Sequence, residues 1–566
     1  MGIGVGDAAI ACSREICGEG VGSSPLIWKR KCDRNGSLIR SDELVAAVRR
    51  AAALDGSIDH ALIAASARAS EQLKLSSPKL SAATLHSLSR AIPLLLGLLA
   101  LAAVLNSSSV IVLSIIVVLP TAFRIWVIVH SVATVDPPRP SVLTAPDEEL
   151  PVYSIIAPLR GEATVVDQLL SAIERLNYPP ERLDVIIAVE ADDYDTRAAI
   201  TARKHRIAIT VIPVPPTAPG TKPKALNVAL PFARGVFTVI YDAEDRPERN
   251  QLRIALKAFR SADSNLACVQ ARLCMDTRKS WLARYFTAEY AGHFDIFLPR
   301  LAALRLPLPL GGSSNHFRTE ALREIGGWDP YNVTEDADLG MRLARFGYRS
   351  DMIDSTTYEE APADVRCWLG QRSRWFKGWM QTWLVHMREP RQLFREFGRG
   401  GFLTFQFIVG GNALVALAHP LFMAALIYQL IALISQGCDW AIFIQIALCL
   451  VIAATGYSVS AWLGWRGLSY RRTPRKVRVL IWTPIHWLLL SLAAWCAAFE
   501  LIARPYFWKK TEHGLDRTSR QESTIRSLLE LERHLTRLER SGRLPQIWND
   551  AKDSAANRRR LPRAAV

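Results

Sequence analysis

Residues 235–245 read GVFTVIYDAED, an apolar run of strand length that ends in Asp242, Glu244 and Asp245. Its β-branched and aromatic residues, uninterrupted by any charge, predict a strand buried on both faces. The pattern recurs upstream. YSIIAPL (153–159), LDVIIAVE (183–190) and IAITVIPV (207–214) are short apolar runs, and the stretches 165–176, 195–204 and 223–234 between them are patterned as helices. Strands alternating with amphipathic helices predict a parallel-sheet α/β domain of the nucleotide-binding kind. In such sheets ligands gather beyond the carboxyl ends of the strands. Glu190 and the acids after Tyr241 fall there.

Carboxylates one residue apart at a strand end can hold Mg²⁺ or Mn²⁺, hard cations that keep waters and take further oxygens from a diphosphate. The plainer reading of DAEDRPE is a helix start, with Asp245 as N-cap and Pro247 in the first turn. Upstream, TKPKALN (221–227) offers Lys222 and Lys224 for phosphate, or a lone basic loop. A second acid cluster, YNVTEDADLG (331–340), places Thr334 as a candidate N-cap and Glu335, Asp336 and Asp338 in a first helical turn. LGGSSNHFR lies just upstream and GGWDPYN adjoins it, loops suited to a pocket. A carboxylate beside a helix N-terminus is expected to stay ionised near neutral pH and so to accept a proton from a sugar hydroxyl. In WLGQRSRWFKGWMQTW (368–383), helical spacing puts Gln371, Arg374 and Trp375 on one face. Trp379 and Trp383 read as core or membrane-interface anchors. A guanidinium can clamp a diphosphate and an indole can carry a pyranose ring, which suits Arg374 and Trp375.

Apolar runs bracket this domain. IPLLLGLLALAAVLN and VIVLSIIVVLPTAFRIWVIVHS, separated by SSS, predict a transmembrane hairpin over 85–132. A Pro-rich acidic linker, 133–150, leads into the α/β domain at 151–400. Membrane helices are expected again over 401–466, with a kink at His419-Pro420 in a run too long for one straight span. The segment 467–515 combines a basic loop with an apolar run, 479–503, whose Trp, His and Glu residues suggest that it lies in the cytoplasmic interface. That arrangement keeps every basic segment inside, including the tail 516–566. The first thirty residues lack the pattern of a signal peptide, and the polar region 1–84 receives no function.

DAED, TED at 334–336 and QRSRW at 371–375, in this order and between membrane segments, resemble the family 2 glycosyltransferases. The likeness is to the membrane-integrated processive branch of cellulose, curdlan and hyaluronan synthases, over roughly residues 85–515. The resemblance implies an α/β GT-A (Rossmann-like) catalytic domain inserted between transmembrane helices, a UDP-sugar donor, a divalent metal (Mg²⁺ or Mn²⁺) and inverting β-transfer onto a growing glycan. It assigns Glu190 and Lys224 to the nucleotide, and Asp242 and Glu244 to diphosphate and metal. Asp336 becomes the general base, with Glu335 beside it in the substrate site and Gln371, Arg374 and Trp375 at acceptor and diphosphate. FWKKTEHG (507–514) resembles the gating loop that follows an interfacial helix in cellulose synthases, which would add Lys510 and Thr511 to the substrate site. The family usually carries Asp-x-Asp where this chain has Asp242-x-Glu244, which leaves Glu244 and Asp245 as alternatives for the second ligand.

Composition agrees with these expectations. A net charge of +16 over 566 residues suits phosphate groups and the anionic inner face of a bilayer. Nucleic acid is not expected as a partner, because the basic residues flank apolar runs and form no recognisable nucleic-acid module. The nine cysteines contain no C-x-x-C pair, so neither a zinc site nor a disulfide framework is expected. The expected location is the inner membrane, multi-pass, with lipids and envelope export partners around it. The alternatives are a non-processive enzyme acting on a lipid carrier and an envelope receptor or binding subunit with a degenerate transferase domain.

Overall fold

The structure is a computed structural model that describes residues 68, 71–85, 107–131, 146–275, 280–362, 364–436 and 440–507. The first run of the expected hairpin, Lys510, Thr511 and the tail 516–566 lie outside the described residues. Eight strands form one mixed sheet: β1 (Tyr153–Leu159), β2 (Leu183–Glu190), β3 (Ile209–Val214), β4 (Phe237–Ile240), β5 (Arg246–Pro247), β6 (Leu266–Met275), β7 (Asn315–Arg318) and β8 (Arg349–Glu359). Their spatial order is β3-β2-β1-β4-β7-β6-β8-β5. The first four are parallel, β7 runs antiparallel to β4 and β6, and β8 is parallel to β6. This is the expected Rossmann-type α/β domain.

Alternation explains why these runs make strands. Ile156, Ile186, Ala188 and Ile240 enter one buried cluster, while Ile155, Ala157, Val185, Ile187, Val189 and Val239 enter the cluster on the other face. Each large aliphatic side chain so buried contributes about 1.5–3 kcal/mol relative to exposure. At Gly235 a Cβ would stand 2.4 Å from Ser154 N, so only glycine lets the chain enter β4 so close to β1. The strand order reverses between β1 and β4, and the crevice beyond their carboxyl ends is the place where such a sheet receives a ligand.

Helices follow as α1 (Ser107–His130), α2 (Val166–Glu174), α3 (Tyr194–Ala202), α4 (Lys222–Ala229), α5 (Gln251–Arg260), α6 (Trp281–Ala291), α7 (Leu298–Ala303), α8 (Thr319–Glu324), α9 (Glu335–Arg345), α10 (Val365–His386), α11 (Pro390–Thr404), α12 (Gly411–Gln436), α13 (Trp440–Tyr470) and α14 (Thr483–Ala503). Two π-helical turns, 292–297 and 405–410, join α6 to α7 and α11 to α12. Among the described residues four helical stretches are long and apolar enough to cross a membrane: Val110–His130, Pro390–Ser435, Trp440–Tyr470 and Val477–Ala503. Val127 of α1 and Ile408 belong to the same buried cluster as β1 and β2, so the α/β domain and the foot of the apolar helices share one core.

Two local expectations are corrected. Asp245 caps no helix: Arg246 and Pro247 pair with Tyr358 and Thr357 of β8, and α5 begins only after Asn250. Thr334 stands at the N-cap of α9 without a side-chain capping bond, and its N–H is taken by Asn332 Oδ1 at 3.0 Å. Gly398 (φ 65°) breaks the helical conformation of α11, a π-turn at 405–410 precedes α12, and Pro420 sits inside α12.

Helix α14 touches the α/β domain at both ends. At its start Thr483 accepts a hydrogen bond from Tyr285 (3.2 Å), and His486 stacks on the same ring at 4.0 Å. At its end Glu500 pairs with Lys377 at 3.0 Å, and Pro505 O accepts from Gln381 at 2.9 Å. A helix roughly 31 Å long, at 1.5 Å per residue, that meets one domain at both ends lies along it. Single cysteines replacing Arg472 and Arg504 in a cysteine-free background should therefore be labelled by an impermeant reagent from the same side of the membrane. Labelling from opposite sides would show that α14 crosses.

Candidate active site

The crevice opens into a cavity of about 420 Å³ whose wall includes Asp242, Glu244, Glu190, Lys222, Glu335, Asp336, Gln371, Arg374 and Trp375. Three separate stretches of sequence thus converge: the end of β4, the start of α9 and the middle of α10. Close packing fixes their relation. A Cβ at Gly378 of α10 would stand 2.0 Å from Thr334 Oγ1, so the backbone of α10 lies directly against the residue that precedes Glu335 and Asp336. On the other side, the position of a Cβ on Gly312 is 3.8 Å from Asp336 Oδ2, which puts the LGGSSN loop beside that carboxylate.

The two acids after Asp242 part company. Asp245 is fully buried and spends one oxygen on Asp242 N at 2.7 Å, tying the turn together, whereas Glu244 stands on the cavity wall. Glu359, at the end of β8, lies on the same wall. Burial drives Glu244 and Glu359 well above the usual carboxylate range, and Asp242 pushes both further. Among the described residues no three His, Cys, Asp or Glu converge on one point. A divalent ion here would have Asp242 and Glu244 as protein ligands and take the rest from water and a diphosphate, as Mg²⁺ commonly does. The donor set fits such an ion: hard oxygens, crowded enough to repel one another.

Lys222 and Lys224 also differ. Lys222 Nζ lies 2.7 Å and 2.9 Å from the two Asp242 oxygens and 2.5 Å from Gly312 O. Burial works against its charge, yet Asp242, Asp336 and Glu335 outweigh that and hold the ammonium above its ordinary value. Lys224 Nζ donates to Pro215 O (2.7 Å) and Thr217 O (2.8 Å) and stands 3.8 Å from Glu190, behind the wall. The structure therefore turns Lys222 toward the acids and gives Lys224 to the loop 215–217; both stand in the first turn of α4, where residues two apart leave the helix on nearly opposite sides. Arg374 reaches Val333 O at 3.4 Å. Burial lowers it, while Glu335, Asp242 and Asp336 pull the other way.

Asp336 departs from expectation in one respect. The helix terminus is outweighed by burial, which raises its carboxyl well above the ordinary range, with Glu335 adding and Lys222 opposing. A carboxylate with a raised pKa is a stronger base than an ordinary one. Glu359, Arg160 and Glu162 were not anticipated, although Glu359 ends β8 and the other two follow the carboxyl end of β1. The cavity then continues between apolar helices, past Arg124 of α1, Asn412 of α12, Ser460 and Leu463 of α13, and Trp487 of α14.

A buried acid cluster bridged by Lys222 at a sheet's switch point is a place where a ligand can be received. Comparison with known proteins narrows the reading. Residues 237–497 match the family described as glycosyl transferase family group 2. A probable glycosyltransferase, YdaM, of Bacillus subtilis is 26% identical over 242 residues, 41% of this chain and 56% of that protein. A beta-monoglucosyldiacylglycerol synthase of Synechocystis is 24% identical over 268 residues (46% and 55%). Glucomannan 4-beta-mannosyltransferase 2 of Arabidopsis thaliana is 25% identical over 264 residues (44% and 47%). The chain spans about half the length of these relatives. The matched stretch includes the acids from Asp242 to Glu359, α10, α12, α13 and α14 as far as residue 497, and these matches support a glycosyltransferase.

Two outcomes are expected. Glu244→Gln should raise the Mg²⁺ or Mn²⁺ concentration needed for activity far more than Asp245→Asn, because only Glu244 faces the cavity; a metal titration showing the reverse order would make Asp245 the ligand. Secondly, a carboxyl whose pKa is raised on folding binds more protons folded than unfolded, so the ligand-free protein should lose stability as pH rises from about 4 through the raised value. Asp336→Asn should remove part of that loss and raise the thermal midpoint at pH 7, about 2–4 °C per kcal/mol in a domain of this size. An unchanged or lower midpoint would contradict the assignment of burial as the dominant cause.

Proposed function

We infer that the chain is an inverting family 2 glycosyltransferase that moves a hexose from a UDP-sugar to a growing β-glycan and passes that glycan between its own apolar helices. On this reading the α/β domain lies on the cytoplasmic side of the inner membrane. One observation carries it: a single cavity joins the acid cluster to α1, α12, α13 and α14. Trp375, Trp379 and Trp487 give that cavity aromatic faces suited to sugar rings. The interfacial reading of α14 rests on its contacts at both ends.

In the mechanism, Asp336 accepts the proton of the acceptor hydroxyl as its oxygen attacks the anomeric carbon. The bond from that carbon to the diphosphate breaks, and the configuration inverts because one displacement occurs. Lys222 and Arg374 meet the charge that develops on departing UDP, inside a site that excludes much of the water. Mg²⁺ or Mn²⁺, held by Asp242 and Glu244, would neutralise diphosphate charge. Gln371 and Trp375 orient the acceptor, and Glu190, backed by Lys224, faces the nucleotide.

A second reading, transfer to a lipid acceptor, is favoured by the aliphatic wall of Ile408, Ala416, Leu463 and Leu490. Relatives named for glucolipid and for glucomannan synthesis represent the two acceptor classes. Inverted membrane vesicles given Mg²⁺ and a panel of UDP-sugars should form a polymer that a linkage-specific β-glycanase digests. A solvent-extractable glycolipid alone would establish the second reading, and no transfer from any donor would defeat both. Asp336→Asn should lower transfer by about 10²- to 10⁴-fold with UDP affinity nearly intact; wild-type turnover in that variant would remove Asp336 from the mechanism.

A further inference from the structure

Residues 71–85 belong to the polar region that no motif explains, yet they are fastened to the α/β domain at several points. Leu73, Ser81, Ala82 and Leu85 are buried. Asp329, itself fully buried, accepts from Ser81 Oγ at 3.1 Å through one oxygen and from Ala82 N at 2.5 Å through the other. Arg388, just past α10, spreads one nitrogen over three carbonyls, those of Pro78 (3.2 Å), Lys79 (3.0 Å) and Ser81 (2.9 Å). Tyr506 donates to Ala82 O (3.2 Å) and Ala83 O (2.7 Å). The contacts read backbone as much as side chain, so they select a conformation of this segment, a pair of 3₁₀ turns opened by Pro78.

What the segment grips is the short path to Asp336. Asp329 Oδ1, besides holding Ser81, accepts from Tyr331 N at 3.1 Å and so shapes its own loop. From there Asn332 Nδ2 donates to Thr382 Oγ1 (2.9 Å) and Val333 N donates to Gln381 Oε1 (3.0 Å), and the next three residues are Thr334, Glu335 and Asp336. Gln381 also holds Pro505 O, next to Tyr506. The loop is therefore clamped between α10 on one side and residues 71–85 on the other. A carboxylate that bonds two segments at once transmits displacement of either to the other, because a buried acceptor left without its donor is costly.

We propose that residues 71–85 form a strap that holds the acid-bearing loop 329–336 in its working position, with Asp329 as the positioning residue through which the strap acts on Asp336. The proposal rests on Asp336 as the reacting base. It gives the amino-terminal region a part in turnover, since whatever moves the strap moves the loop.

The test uses the full-length protein in membranes with two variants outside the cavity, Ser81→Ala, which deletes one hydroxyl, and Arg388→Lys, which keeps the charge but loses the spread over three carbonyls. Each should lower the kcat of transfer by about 10- to 100-fold, the order that a sub-ångström to ångström misplacement carries, with the KM for the nucleotide sugar within about two-fold of wild type. In parallel, amide exchange over 329–338 should quicken while that of β2, Leu183–Glu190, stays at the wild-type rate. Wild-type exchange over 329–338 or wild-type kcat in both variants would overturn the proposal. Faster exchange throughout, β2 included, would also overturn it, by reducing the strap to general support of the fold. If the wild-type protein transfers no sugar, the functional reading fails on its own, and the exchange measurement alone still decides whether the strap positions the loop.

Discussion

Holding like charges together out of water is the most demanding thing this chain does. Asp242, Glu244, Glu335, Asp336 and Glu359 share one cavity wall, and burial alone pushes Glu244, Asp336 and Glu359 toward their neutral forms. Two cations relieve the crowding without filling the cavity. Lys222 closes on Asp242, and Arg374 looks across at Glu335, Asp242 and Asp336. Both are donors that a diphosphate could also engage. Such an arrangement persists only where the surrounding structure over-determines it.

That over-determination comes chiefly from α10. Its Gly378 admits Thr334 at a distance no side chain would allow, its Gln381 and Thr382 take the polar groups of residues 332–333, and its buried Lys377 holds Glu500 and the Phe507 carbonyl. A buried pair between α9 and α10, Asp338 with His386 at 3.1 Å, shares its carboxylate with Arg342 at 2.7 Å and fixes the second helix against the first. One helix thus carries Gln371, Arg374 and Trp375 on its cavity side and, further along, the grips that set the acid loop, the end of α14 and, through Arg388, the strap.

How much of this was legible depended on the range of the interactions. The strands β1, β2 and β4 could be read because a strand buried on both faces is an unbroken apolar run, a signal contained in seven or eight residues. The acids after Tyr241 could be placed at a sheet's carboxyl edge for the same reason. The distinction between Lys222 and Lys224 could not, since both sit in TKPKALN and only the direction of the chain entering α4 decides which side chain meets Asp242. Glu359 was missed because β8 alternates half-buried and buried positions, RSDMIDSTTYE, and has no apolar run to announce it. The rise in the Asp336 pKa was missed because a helix terminus is visible in sequence, whereas the depth at which it is buried is a property of the loop at 310–314 and of α10. The strap was illegible altogether: Ser81 and Ala82 are ordinary residues in an ordinary polar stretch, and their partner Asp329 lies 248 and 247 positions away.

The same reasoning bears on the polar groups among the apolar helices. An arginine within an apolar, membrane-length helix is costly unless it faces protein or a water-filled space. Arg124 of α1 meets both conditions, since its guanidinium bonds Asn412 of α12 and lies on the cavity wall. Nearby, Arg372 grips Glu289 through both of its terminal nitrogens and is packed against the rings of Phe286, Trp368 and Trp375, at 4.8, 5.4 and 4.7 Å. Neither arrangement is needed to close the α/β core, whose clusters are apolar. They lie where the cavity passes from acid-lined to aliphatic, with His486 of α14 3.7 Å from Glu289. A surface that keeps hydrogen-bonding groups at that depth, paired with one another and set between indole rings, offers a ligand with hydroxyls further partners, whereas a bare hydrocarbon chain could only cover them.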